Sequence, residues 1–310
     1  MGAWLEEWVT HHTETERSTR SDYRRVIRKH LAPAFGAVKL TDLSPRMIQQ
    51  WQSRMLGSYA PASVLQYRSI LSTALGQAVR MELLDRNPVS LVKAPRVPVK
   101  RQRVWDEGEV ARVIASADDQ QERLYLRLAL TTGMRPGEII ALTWDAVDLE
   151  RGLLSVSSHM QTDETGSYLT EGAKSQAGER DIHLDRSTLA ELRSWSVEQK
   201  RIRLRTPMWR DQGLLFTNVY ARGGVFGGPV SRSAPDRWVR RAAERAGATA
   251  LSPHGLRHTW ASIALAKGVP ITVVSQRLGH ANPSITLRIY AHALPGGDRL
   301  AADLMDELYG

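Results

Sequence analysis

The chain has 310 residues and no cysteine, which excludes disulfides and thiolate metal sites. Hydrophobic residues are 42% and charged residues 24%, ordinary for a soluble globular protein, and no apolar run reaches the roughly 18 residues of a membrane span. The formal net charge of +9 favours a polyanionic partner, nucleic acid first, although a merely solubilising surface carries the same balance.

The first residues, MGAWLEEWVTHHTETE, are acidic and amphipathic, unlike a signal peptide. Together with the missing cysteine, this points to a cytoplasmic protein. Arginine predominates over lysine, which favours phosphate, because a guanidinium binds it bidentately. The length suggests two domains.

The first domain reads as helical. Trp4, Leu5 and Trp8 have helical spacing over residues 3–10. A helix over 18–31 carries Tyr23, Ile27 and Leu31 as an apolar stripe. Arg20, Arg24 and Arg28 form a single-signed stripe on another face, placed for phosphate contact. Ser44-Pro45 starts a third helix and Ala60-Pro61 a fourth, which runs to about Met81. Ser63, Gln66 and Arg68 on that fourth helix could reach base edges. Asn87-Pro88 closes the unit, residues 1–93. Residues 94–104 form a basic linker: Pro95 and Pro98 prevent a regular helix, and Lys100, Arg101 and Arg103 are available to DNA.

The second part opens on Asp106-Glu107-Gly108-Glu109, a helix cap with glutamate at N3. Helices are expected over 106–117, 121–132 and 136–143. Short strands follow at 153–157, 167–170 and 180–184. Helices resume at 187–204, 232–246, 253–267, 270–278 and 283–290. The fold class is therefore mainly α with a small antiparallel β-sheet.

Polar residues with chemistry cluster at the ends of these elements. Arg135 lies in TGMRPGE, in the turn between a helix that ends at Gly133 and one that begins at Pro136. Glu138 falls near the second helix's N-terminus, where the dipole favours a carboxylate, and could hold Arg135. Lys174 sits between strands, in GAKS. The pattern G-x-x-x-x-G-K-[ST] is absent, so an NTP site is rejected, and the run Gly223 to Gly228 reads as a flexible loop. Ser252-Pro253 caps the helix carrying His254 and Arg257, which share a face at i, i+3. His254 and His258 also stand at i, i+4, but no H-E-x-x-H glutamate or third ligand accompanies them. His258 is expected to pack or hydrogen-bond inside the domain. His280 follows Gly279 at a helix end, and Tyr290 comes one short helix later.

The stretches TTGMRPGEIIALTWDAVDLERGLL, KSQAGERDIHL, SPHGLRHTWASIALAKGVPITVVSQRLGH and ITLRIYAH, in this order, resemble the tyrosine recombinases, also called the phage integrase family. The resemblance covers residues 105–295. Residues 1–93 are similar to the family's helical core-type DNA-binding domain.

The resemblance implies a catalytic set of Arg135, Lys174, His254, Arg257, His280 and Tyr290, supported by Glu138, with no metal, cofactor or ATP. Tyr290 would attack a DNA phosphodiester and form a 3′-phosphotyrosyl bond. Arg135 and Arg257 would clamp the nonbridging oxygens. His254 would accept the phenol proton, Lys174 would protonate the leaving 5′-oxygen, and His280 would donate to the phosphate. The implied partners are double-stranded DNA with inverted half-sites, a homo-tetramer on two duplexes (monomer or dimer in solution) and an accessory directionality factor. The implied place of action is the nucleoid. Leu300, Leu304 and Leu308 repeat at helical spacing, so residues 296–310 read as a short tail helix that docks in its own domain or in a neighbour's; the resemblance favours the neighbour, and so oligomerisation. Many phage integrases carry a further N-terminal arm-binding domain, for which this chain leaves no room. It is expected to be either a piece of a longer protein or a simple recombinase working without arm sites. A chromosome-dimer resolvase of the same family, a type IB topoisomerase and a non-catalytic DNA-binding regulator are the alternatives.

Overall fold

The computed structural model describes residues 1–98, 102–163, 166–172, 178–219, 225–291, 302 and 305–309. Lys100, Arg101, Lys174, Gly223, Gly224, Leu300 and Leu304 lie outside them. The chain divides into two compact units, one built on Met1–Arg101 and the other on Gln102–Thr162 and Gly166–Gly310. Among the described residues no helix is long and apolar enough to cross a membrane.

The first unit is a small helical bundle of α1 (Gly2–His11), α2 (Arg17–Val26), α3 (Ala32–Phe35), α4 (Pro45–Leu56) and α5 (Pro61–Arg80). Trp4, Leu5 and Trp8 are buried in its core with Ile27, Leu31, Leu71 and Leu75. The helix expected over 18–31 is interrupted, because Ile27–Leu31 form a π-turn. Pro33 supplies the reason. It has no N–H for the Lys29 carbonyl and its ring would strike that carbonyl in a continuous α-helix, and a wider turn relieves both.

Ser44 caps α4 by accepting from the Met47 N–H, with Pro45 in its first turn. Arg24 is half-buried and Arg28 exposed. Arg20 is half-buried too and donates to the Thr13 carbonyl at 3.2 Å. Ser63 is half-buried, while Gln66 and Arg103 are exposed. Arg68 departs from the expected base-reading position. Its guanidinium donates to the carbonyls of Val89 and Val92 at 2.8 and 2.6 Å, which commits it to closing the unit. Those carbonyls belong to a 3-10 turn and its cap, where acceptor capacity is left for a side chain to fill.

The second unit opens with α6 (Glu107–Ala115), whose Asp106 and Glu109 form the expected capping box. The helices α7 (Gln120–Thr132) and α8 (Pro136–Ile140) follow. The described strands are β1 (Val147–Asp148), β2 (Leu153–Val156), β3 (Ser158–Asp163), β4 (Gly166–Glu171) and β5 (Arg180–His183). They form an antiparallel sheet in the order β1-β2-β5 and a β3-β4 pair. β1 and β3 were not expected. The first is two residues long, and SHMQTD has no apolar alternation to signal a strand.

The remaining helices are α9 (Arg186–Arg205), α10 (Ala234–Arg245), α11 (Pro253–Ala266), α12 (Ile271–Leu278) and α13 (Pro283–Tyr290). α7 is the centre of the unit, burying Leu124, Tyr125, Leu126, Leu128 and Ala129, and α11 packs against it. A helix buried over most of its surface cannot shift without repacking its neighbours, so its C-terminal end is a fixed reference point. α11, α12 and α13 share a smaller core of Ala261, Leu265, Val274, Leu278 and Tyr290. Of the expected tail helix, residues 305–309 are described as helical, with Leu308 exposed.

Candidate active site

The ends of α7, α11, α12 and α13 and the start of α8 converge on one set of side chains. α7 stops at Gly133, which is left-handed at φ 68°, and a Cβ there would run into the Trp260 ring. Two residues on, Arg135 is the N-cap of α8, ahead of Pro136. Glu138, at the third position of α8, accepts from the Arg135 backbone N–H at 2.9 Å and from Arg135 Nη1 at 2.7 Å. Arg180, at the start of β5, donates to the same carboxylate through Nη2 at 2.9 Å. One buried carboxylate thus aligns two guanidiniums. α12 ends at left-handed Gly279, whose carbonyl accepts from Arg135 Nη2 at 3.0 Å.

α11 supplies three further groups from its first two turns. Ser252 caps it by accepting from the Gly255 N–H. Arg257 is only 2% exposed and donates from Nη1 to the Gly133 carbonyl at 2.9 Å. Its Nη2 lies 2.8 Å from His280 Nε2. A guanidinium only donates, so His280 Nε2 accepts, the proton sits on Nδ1, and Nδ1 donates to Thr286 Oγ1 at 2.8 Å. Tyr290 closes α13 at 2% exposure, with its Oη 2.6 Å from His258 Nδ1. His254 is exposed, and its ring meets the edge of His258 with centroids 4.9 Å apart.

Burial, followed by the Arg257 and Arg135 charges, lowers the pKa of His280 to about 4. Burial does the same to His258, reinforced by His254 and Arg257, again to about 4. Both rings are therefore neutral at pH 7. Burial pushes the Tyr290 phenol up to about 12, against the pull of Arg257. Burial, then the like charge of Arg135, weakens Arg257's hold on its proton, yet a guanidinium stays charged at neutral pH. Arg257 is thus a buried cation whose hydrogen bonds go to a carbonyl and an imidazole. No carboxylate forms an ion pair with it among the described residues. Such a group is stabilised by an incoming anion. The geometry offers a bound oxyanion two guanidiniums and a nearby phenol.

Arg135, Glu138, Arg257, His280 and Tyr290, named from sequence, are therefore brought into one place. Lys174 lies outside the described residues. One expectation changes: the imidazole hydrogen-bonded to the Tyr290 phenol is His258, whereas His254 meets the His258 ring. Both lie on the same face of α11 at i, i+4, so sequence alone cannot say which ring α13 meets. Arg180 and Thr286 were also missed. Only the charge of Arg180, six residues after Lys174, hinted at a role.

Known proteins share this arrangement of elements. The family model described as the phage integrase family matches residues 103–296, and a phage integrase N-terminal SAM-like domain model matches residues 1–56. The chain belongs to the phage integrase family. It is a tyrosine recombinase. The tyrosine recombinase XerC of Chromohalobacter salexigens is 32% identical, over 73% of this chain and 68% of its own. A putative prophage phiRv2 integrase of Mycobacterium tuberculosis is 28% identical, over 99% of this chain and 78% of its own. Among solved structures, the Tn1549 transposon integrase in complex with a circular intermediate DNA superposes with a TM-score of 0.77 at 18% identity, covering 98% of both chains. A lambda integrase tetramer bound to a Holliday junction gives 0.69 at 19% identity, over 96% of this chain and 78% of its own. These likenesses establish the recombinase fold, mainly helical with a small antiparallel sheet.

Proposed function

We propose that this recombinase cuts and rejoins double-stranded DNA at inverted half-sites through a phosphotyrosine at Tyr290. The observation that carries the reading is Arg257, a buried guanidinium with no carboxylate partner among the described residues, in the same site as a buried phenol. A phosphodiester supplies the missing negative charge. Arg135 and Arg257 then hold its nonbridging oxygens as charge accumulates on them, the part of the reaction that fixed donors assist most. Tyr290 Oη attacks phosphorus, the P–O5′ bond breaks, and Lys174 gives the leaving oxygen its proton. A 5′-hydroxyl from a partner duplex reverses these steps and regenerates the phenol. Bond energy is kept in the covalent intermediate.

His254, exposed at the start of α11, and His280, held by Arg257 and Thr286, line the phosphate side. Glu138 supports both arginines through its bonds to Arg135 and Arg180. Phosphate contacts in the first unit are assigned to Arg20, Arg24 and Arg28, base contacts to Ser63 and Gln66, and further DNA contacts to Lys100, Arg101 and Arg103 on the linker. Exchange between two duplexes calls for a tetramer, which the 296–310 tail would join, and an accessory protein would set its direction.

Tyr290→Phe is the direct test. On a nicked substrate that traps cleavage, the variant should bind the half-site like the wild type and form no adduct in a denaturing gel. An adduct from the variant would remove Tyr290 from the nucleophile role.

A further inference from the structure

We infer that His258 is a catalytic residue and takes the proton of the Tyr290 phenol as it attacks. The inference rests on Tyr290 being the nucleophile. His258 Nδ1 stands 2.6 Å from Oη, within reach of direct transfer. Among the described residues, no other polar group is hydrogen-bonded to the phenol. His280 has one nitrogen on Arg257 and the other on Thr286. The Glu138 carboxylate is held by Arg135 and Arg180. Arg257 only donates. His254 touches His258 instead. Tyr290 is 2% exposed, so bulk water is not the acceptor.

The bond has one sensible direction. A neutral imidazole with Nε2–H leaves Nδ1 as the acceptor, and the phenol O–H donates to it. During cleavage the Oη–P bond forms and the P–O5′ bond breaks. The phenol proton moves to Nδ1, which makes His258 an imidazolium. Religation returns that proton to Oη. The surroundings make this transfer conditional on substrate. In the free protein, burial, His254 and Arg257 all disfavour a charged His258. A phosphodiester bound to Arg135 and Arg257 offsets the positive field, so its arrival strengthens the base beside the nucleophile.

The test uses the full chain with a fluorinated tyrosine, whose ring halogens acidify the phenol, installed at position 290. His258→Asn keeps a hydrogen-bonding group near Nδ1 but cannot take up a proton. It should bind half-site DNA as the wild type does, yet form adduct more slowly by on the order of 100-fold. With the acidified phenol, which needs less help to ionise, that gap should contract. His254→Asn, on the phosphate side, should show the same defect with both phenols. A His258→Asn variant that cleaves at the wild-type rate overturns the inference, and so does a defect of equal size with both phenols. Adduct formation by Tyr290→Phe would instead overturn the nucleophile assignment. A blank Tyr290→Phe result beside an unaffected His258 variant would overturn this inference alone.

Discussion

Glu138 shows how much of the site depends on one carboxylate. Burial by itself would raise its pKa, but the hydrogen bond and charge of Arg180, with those of Arg135, win and hold it below the ordinary value of 4.5. A carboxyl depressed in the folded state adds stability above its unfolded pKa and loses it as pH falls through the folded one. The stability gap between wild type and Glu138→Gln should therefore be full near neutrality and close progressively below about pH 4.5, read from urea denaturation at several pH values. At pH 7, Glu138→Ala should cost about 3–5 kcal/mol, because it strands buried Arg180. Glu138 could be picked out from the turn TGMRPGE, since partner and cap lie three residues apart. Arg180 could not, because it comes 42 residues later and only the folded chain brings it to the carboxylate. The same holds for His258, whose significance appears only when α13 lays Tyr290 against it.

At the scale of elements, the site is an assembly of helix ends. Their signals are local: glycine at the ends of α7 and α12, and Ser252-Pro253 at the start of α11. Those ends and the helices behind them were readable from sequence. Local pattern failed where tertiary demands prevail, at the Pro33-driven π-turn and at the polar strand β3. Gly133 combines both kinds of requirement. Its φ of 68° disfavours any side chain, and Trp260 fills the space a Cβ would occupy. Gly133→Ala should therefore lower stability by about 1–3 kcal/mol in thermal denaturation. It should also slow cleavage more than half-site binding, since the displaced carbonyl is the one that holds Arg257.

At the scale of the whole molecule, the +9 charge suits a DNA substrate, and assembly is the role proposed for the tail. Removing residues 296–310 should leave half-site binding intact and abolish paired complexes and recombinant product, as seen in native gels and a two-site plasmid assay. Unchanged product would place the tail's role within its own subunit. The catalytic core is held in place by its backbone. Arg135 and Arg257 are each tied down by a main-chain oxygen, of Gly279 and Gly133. A main-chain oxygen has no side chain to mutate. The clamp is therefore inherited with the path of the backbone, and most of the surrounding sequence is free to drift while the reaction stays the same.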